Sequence, residues 1–328
     1  MRYRSANDYM RHIFGYKVYK ISINGGFTCP NRDGSLGVGG CIFCSGEGSG
    51  DFSEDAELPV NEQIESGKKR VISKLPKDMD DSVPRFMAYF QAYTNTYAPV
   101  ERLRSLFTEA IMHPDIVGIS IATRPDCLGD DVIELLDELK GIKPVWVELG
   151  LQTIHKKTAE YIRRGYDLPV YTDAVKRLTG HVSHIITHVI LGLPGESKED
   201  MLETVRFVGS IASAGYEGRR SDIEGNEDDV KQDEDGKKNE AVRDLFGIKL
   251  QLLHVIHGTD LEKDYMRGMF ECLTLDEYAD IIRDAISILP PDMVVHRITG
   301  DGAKKTLVAP LWSADKKRVL NTLNKKLM

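Results

Sequence analysis

A chain of 328 residues exceeds one small module, and its 41% hydrophobic and 29% charged residues can bury a sizeable core, which excludes a globally disordered protein. The formal charge of −8 argues against a surface that is basic all over, and no run approaches the ~18 apolar residues of a membrane span. Met1–Tyr19 is charged and aromatic with no apolar core, so the sequence predicts no secretory signal, no membrane association and a cytoplasmic location.

Short apolar runs alternate with amphipathic stretches. Val18–Ile23 reads as a strand and Asn61–Leu75 as a helix. Arg85–Gln91 reads as a strand, Val100–Met112 as a helix and Val117–Ala122 as a strand. Asp130–Lys140 follows as a helix with Val132, Ile133, Leu135, Leu136 and Leu139 on one face. Val145–Leu151, the helix Val170–Leu178, and Ile185–Leu191 come next. Ser197 caps a helix to Ala212, and Ile248–Leu253 is a sixth strand. Thr274 and Glu277 form a capping-box pattern, Pro290–Pro291 stops that helix, and Val294–Ile298 is a last strand.

Six such repeats with nearly continuous apolar strands predict an α/β fold, a partial (βα)6 TIM-like barrel, with residues 1–300 as its domain and 301–328 as a basic C-terminal extension. Chemistry in such folds sits on loops after the strands' C-terminal ends. Glu217–Glu240 breaks the pattern with ten acids and five bases, and reads as a solvated acidic insertion. It holds most of the net negative charge. Both ends are basic, through Arg2, Arg4, Arg11, Lys17 and Lys20 and through Lys304, Lys305, Lys316, Lys317 and Arg318.

Five cysteines in a cytoplasmic chain do not suggest a disulfide framework. Cys29, Cys41 and Cys44 fall in one glycine-rich loop after the first strand, whereas Cys127 and Cys272 stand alone. Three thiolates together suit a metal. Zinc in a closed site needs a fourth ligand, for which His254 and His257 are the candidates. A cubane iron–sulfur cluster is held by three cysteines with one iron left for an exchangeable ligand.

The triad ends Cys41-Ile42-Phe43-Cys44, and further stretches follow near strand ends. They are Phe27-Thr-Cys-Pro-Asn-Arg-Asp-Gly34, Tyr89-Phe-Gln-Ala-Tyr-Thr-Asn-Thr-Tyr97, Thr123-Arg-Pro-Asp126, Glu148-Leu-Gly-Leu-Gln152, Leu191-Gly-Leu-Pro-Gly-Glu196, His254-Val-Ile-His-Gly-Thr259 and Ala309-Pro-Leu-Trp312. In this order they resemble the radical S-adenosylmethionine (SAM) superfamily, and over nearly the whole chain its bacterial YhcC/YtqA-type family, related to the radical SAM domain of the Elongator catalytic subunit. The usual cysteine spacing there is C-x3-C-x2-C, and the present gap of eleven residues departs from it.

That resemblance implies a 4Fe-4S cluster on Cys29, Cys41 and Cys44, and reductive cleavage of SAM to a 5′-deoxyadenosyl radical that abstracts hydrogen from substrate. It implies SAM contacts from Gln91, Thr94, Ser120, Thr123, Glu148, Gln152, Arg163, Ile190, Gly192 and Leu253. The usual Gly-Gly-Glu stretch after the second strand is replaced by Gln91-Ala-Tyr-Thr-Asn95. Glu148 lies in an apolar strand and needs a buried partner, for which Arg163 and Arg164 are candidates. Arg124 is a candidate for a carboxylate or phosphate, or for a salt bridge to Asp126. Tyr93, Tyr97, Arg297 and Asp301 are candidate substrate contacts. The resemblance further implies tRNA wobble-uridine side-chain modification, with tRNA phosphates met by the basic ends, and a reductant such as flavodoxin or ferredoxin. A small-molecule or protein substrate and a zinc-stabilised binding module are the alternatives.

Overall fold

The computed structural model describes residues 3–46, 48, 53–74, 85–224, 246–300 and 305–328. Six parallel strands run in sequence order across one curled sheet: β2 (Val18–Ile23), β3 (Arg85–Phe90), β4 (Ile116–Thr123), β5 (Val145–Gln152), β6 (His184–Leu191) and β7 (Phe246–Leu252). Beyond β7 lie β9 (Val294–Arg297) and, outermost, the two-residue β1 (Arg4–Ser5), giving eight strands among the described residues. The sheet is thus the expected partial barrel, with the expected last strand ending at Arg297 and one further strand, β1, at that edge.

Strand alternation divides the sheet into a wall and a lumen. On β5, Val145, Val147, Leu149 and Leu151 join the main hydrophobic core against the helices. Trp146, Glu148 and Gly150 alternate with them and face the lumen side. The outer layer comprises α2 (Val60–Ile72), α3 (Val100–Met112), α4 (Asp130–Lys140), α6 (Leu168–Leu178), α7 (Lys198–Glu224) and α9 (Leu275–Ile288). Phe90 of β3 meets Phe107 of α3 edge-to-face at 4.9 Å between ring centres, one such wall contact.

The expected helices are present with shifted ends. α2 begins one residue early and ends at Ile72, and Leu75 lies outside the described residues. Ser197 does cap α7, its Oγ accepting from the Asp200 amide at 3.3 Å, but that helix continues past Ala212 to Glu224. Ala212, Ala214, Glu217 and Arg219 are strong helix formers and carry it on. The first eight residues of the acidic stretch 217–240 are therefore helical, and the remainder lies outside the described residues. The capping box on α9 is complete, with Thr274 Oγ1 accepting from the Glu277 amide and Glu277 accepting from the Thr274 amide.

Elements without a strong sequence signal complete the architecture around the open sheet. α1 (Ala6–Phe14) joins β1 to β2 across the sheet's two opposite edges and touches both β9 and β2. Its Tyr9 stacks on His184 at 4.9 Å and lies 5.7 Å from Trp146, sealing the N-terminal end of the lumen with Val18, Met87, Ile186 and Val294. After β7, the short β8 (Val255–Ile256) pairs antiparallel with β10 (Leu307–Ala309), and α8 (Asp260–Met266) follows β8. The tail forms α10 (Lys316–Leu327), which buries Val319, Leu323 and Leu327 in the main core beside α9. No helix among the described residues is long and apolar enough to cross a membrane.

Candidate functional site

The loop after β2 carries the three cysteines and builds its own scaffold. The amides of Arg32 and Asp33 donate to the Cys29 carbonyl, Asp33 bridges Val38 in a small hairpin, and the Gly40 amide returns to the Asn31 carbonyl at 2.8 Å. The Cys44 amide donates to the Cys41 carbonyl at 3.0 Å, placing the last two cysteines on one turn. Asn31 pins the loop to the segment after the short helix α5 (Lys156–Tyr161): its Nδ2 donates to the carbonyls of Arg163 at 2.7 Å and Arg164 at 3.1 Å. Gly165 follows with φ +83°, and a Cβ there would meet Asn31 Oδ1 at 2.6 Å. Only glycine fits both that backbone and that approach.

Cys29, Cys41 and Cys44 form no disulfide and are partly buried, and they line one cavity of about 180 Å³ at the C-terminal end of the strands. Burial and the neighbouring Cys44 thiol push the Cys41 thiol up to about 12, so its thiolate needs a cationic partner such as a metal. Arg32 lines the same cavity, donates to the Ser45 carbonyl at 2.5 Å and sits over the Tyr93 ring.

The other walls come from strand ends. Gln91, Thr94, Thr123, Glu148 and Gln152, all expected from the sequence, line the cavity with the cysteines. Gln152 has φ +69°, rare for a residue with a Cβ, and its buried Oε1 has no hydrogen-bond partner. A strained residue in a cavity wall whose acceptor is orphaned suits a ligand that brings a donor. Tyr93 and Arg297 also line this cavity, whereas Tyr97 lies in a separate groove, its hydroxyl 2.8 Å from Ser35 Oγ.

Other expected residues stand apart from it. Ser120 lies below, donating to Glu148 at 2.7 Å. Ile190 and Leu253 are buried in a satellite apolar cluster that reaches the cysteine loop through Ile42 and Phe43. Gly192 abuts Leu253 and Leu273. Arg163 is not brought to the cavity: it has φ +57°, and its exposed guanidinium pairs with Asp260 at 2.6 Å. Arg124 forms the bidentate pair with Asp126, at 2.9 and 2.7 Å, that was one of its two expected roles. Burial works against its charge, and that pair more than compensates. Asp301 lies outside the described residues.

Glu148 does have a buried partner, but neither Arg163 nor Arg164 supplies it. Arg164 is spent on backbone carbonyls of Leu151, Thr153 and Tyr166 that fold the end of β5. Glu148 instead accepts from Lys20 of β2 at 2.6 Å, from Ser120, from Tyr89 at 3.0 Å, from His188 of β6 at 2.6 Å and from Lys249 of β7. Burial would raise its carboxyl, but the two ammoniums and the imidazole outweigh that and hold it well below the usual range. His188 is drawn down to about 4 by burial and by Lys249, so it is a neutral ring. Its Nε2–H donates to Glu148, and its Nδ1 accepts from Gln251 Nε2 at 2.9 Å. Sequence reasoning missed this convergence and counted Lys20, which here pairs with Glu148, with the basic N-terminal end. Its signal was a polar residue at alternate positions of otherwise apolar strands: Lys20, Tyr89, Ser120, His188 and Lys249.

The zinc alternative finds no support in the donors. His257 is exposed and pairs with Glu262 at 3.0 Å, and neither it nor His254 is among the residues lining the cavity with the cysteines. Three thiols outside any disulfide, sharing a cavity wall with the orphaned acceptor of Gln152, fit a cluster held by three cysteines plus a second ligand.

Comparison with known proteins agrees. The model of the radical SAM superfamily matches residues 26–208, and that of the radical SAM C-terminal domain matches 246–328. The chain is 41% identical to YtqA of Bacillus subtilis over 326 residues, covering 99% of this chain and 89% of that protein. It is 25% identical over 185 residues to the tRNA uridine(34) acetyltransferase of Methanocaldococcus jannaschii, 56% of this chain and 28% of that one. Among solved structures, the archaeal Elp3 of Methanocaldococcus infernus covers 94% of this chain and 63% of its own at TM-score 0.58 and 17% identity, a likeness of fold. Family, fold and donor set converge: the chain belongs to the radical SAM superfamily of enzymes, whose cofactors are a 4Fe-4S cluster and S-adenosylmethionine.

Proposed function

We propose that this radical SAM enzyme acts on tRNA, in the maturation of a wobble-uridine side chain. The observation that carries this reading is the sequence likeness, over 185 residues, to the M. jannaschii protein named for tRNA uridine 34. The charge distribution supports it. Lys316, Lys317, Arg318 and Lys325 lie on α10, whose apolar face is buried, and salt-dependent contact with phosphates is what such a face offers.

In this reading Cys29, Cys41 and Cys44 hold the cluster as thiolates, with Arg32 balancing their charge. Gln91, Thr94, Thr123 and Gln152 meet the polar end of SAM, Gln152 Oε1 accepting from it. Ile190, Gly192 and Leu253 form the apolar flank on the adenine side. Ser120 and Glu148 hold the lumen below, and Arg163 fastens the neighbouring loop through Asp260. The bound cofactors supply one piece of chemistry, a one-electron cleavage of SAM that yields a radical able to take hydrogen from substrate. The protein's own residues position the reactants and exclude water. A cytoplasmic reductant such as flavodoxin or ferredoxin delivers the electron.

The test is a mass comparison of tRNA nucleosides from a deletion strain and its parent. Accumulation of a wobble-uridine precursor that disappears on complementation supports the reading. Unchanged nucleosides with normal SAM cleavage by the purified enzyme favour the small-molecule or protein alternative.

A further inference from the structure

The last turn of the cysteine loop is gripped by a residue of strained backbone. Tyr93, in the loop after β3, has φ +60°, a left-handed conformation that a residue with a Cβ rarely holds. Such strain persists only where the surroundings over-determine it. Here the Tyr93 amide donates to the Gly48 carbonyl at 2.8 Å, and its hydroxyl donates to the Gly46 carbonyl at 2.5 Å. Gly48 has φ +56°, and a Cβ there would meet the Tyr93 ring at 2.3 Å. The segment just past Cys44 therefore rests directly on Tyr93.

Arg32 completes the grip. Its Nη2 donates to the carbonyls of Cys44 at 3.3 Å and Ser45 at 2.5 Å. Its guanidinium lies over the Tyr93 ring, 5.3 Å from the ring centre. The Cys44 side chain is a further hydrogen-bond partner of that guanidinium, and Cys29 also lies within its field. Neighbouring arginines are engaged by acids, Arg124 by Asp126 and Arg163 by Asp260. Among the described residues no carboxylate pairs with Arg32, so its charge serves the thiolates.

We propose that Tyr93 is a positioning residue and not a substrate contact: it holds the Arg32 guanidinium against Cys44, and that fixed charge raises the reduction potential of the group the cysteines bind. The inference rests on the cluster reading above and goes beyond it by assigning the residues that set the potential. Three thiolates make the bound group anionic, and accepting an electron adds a further negative charge. A fixed cation beside them favours the reduced form, the more so in a partly buried site where water screens it less. A ring suits this task better than an acid would. The face of Tyr93 holds the guanidinium in place without neutralising it.

The test uses the anaerobically reconstituted holoenzyme without added SAM. Iron content and the visible spectrum are read first, then the reduction potential by a redox titration followed by electron paramagnetic resonance. Arg32→Gln is expected to make reduction about tenfold less favourable, a shift of about 59 mV to more negative potential for one electron. Arg32→Lys keeps the charge and is expected to recover at least half of that shift. Tyr93→Leu keeps Arg32 but removes the ring beneath it, and is expected to shift the potential in the same direction. It keeps the test open should Arg32→Gln lose its iron. An unchanged potential in fully loaded Arg32→Gln or Tyr93→Leu overturns the proposal, as does an Arg32→Lys shift as large as that of Arg32→Gln. Loss of iron from all three variants assigns the pair to holding the loop alone and overturns it too. A parent protein that takes up no iron fails the cluster reading itself, and iron analysis alone tells that outcome apart.

Discussion

Lys249 and Glu148 form an ion pair that skips a strand: Glu148 is on β5, Lys249 on β7, and His188 of the intervening β6 binds the same carboxylate. Lys20 reaches that carboxylate from β2, three strands away in the other direction. One side chain thus ties together both flanks of an unclosed barrel. Such contacts are not between sheet neighbours, so they exist only when the sheet has its final curvature.

Replacing Glu148 with Gln leaves two buried ammoniums without a counter-charge. A loss of about 3–5 kcal/mol in unfolding free energy is expected, because the cost falls on the charges left behind. Urea titration checks this through the midpoint at constant slope. A loss below about 1 kcal/mol, the scale of a surface pair, would contradict the burial argument.

Stability should also fall with acid before ordinary carboxylates titrate. His188 has a folded-state value of about 4 against an unfolded value near 6.5, so between these limits the unfolded chain binds more protons. His296, lowered by burial and by the facing His184, acts in the same direction. Their contribution is present above about pH 6.5 and is lost as pH falls through the folded values. Each imidazole adds a slope of up to about 1.4 kcal/mol per pH unit. Glu148, held low, adds its own loss below about pH 4. Denaturant midpoints at pH 7.5, 6 and 5 that do not decline would show that the rings are charged in the native state.

Cysteine replacement should separate ligands from bystanders. After anaerobic reconstitution, Cys41→Ala is expected to lose most of the roughly four irons per chain and the brown absorbance. Cys272→Ala is expected to keep them, since Cys272 packs against the satellite apolar cluster. Iron analysis and the visible spectrum decide it, and a Cys41→Ala protein with full iron would remove the triad as the cluster's seat.

Gly165→Ala should loosen the cysteine loop from a distance. The new methyl would strain a left-handed backbone and strike Asn31, whose amide holds the Arg163 and Arg164 carbonyls. A destabilisation of at least ~1 kcal/mol is expected, with faster cluster loss under mild chelation. Chelation kinetics equal to those of the parent protein would show that the Asn31 clamp does not steady the loop.

Much of this architecture was legible because parallel strands buried on both faces leave long apolar runs, and Val100–Met112 and Asp130–Lys140 fall where periodicity put them. The cysteines stood out by clustering in one glycine-rich loop, and the resemblance, not the spacing, pointed them to an iron–sulfur cluster. The lumen network was not. Lys20, His188 and Lys249 are polar letters within largely apolar strands, and only the sheet's curl shows that they converge. Arg163 misled for the opposite reason: its sequence position follows β5 closely, but its backbone leads the side chain away to Asp260. The tail's basic letters concealed an amphipathic helix, whose apolar contribution is just Val319, Leu323 and Leu327.

The pairing of Arg4 with Val294 has a consequence for how the protein is made. β1 has its partner strand 290 residues further along the chain. Until Val294 emerges, β1 lacks its partner strand and the lumen's lower seal lacks His296 and Val294. The nascent chain therefore carries a half-built sheet with an unsealed lumen over the 290 residues that separate the two strands. Contacts so distant in sequence form late and slowly. Expression at lower temperature, or with chaperones that shield open sheet edges, should raise the yield of folded protein more than any change to the cysteine loop.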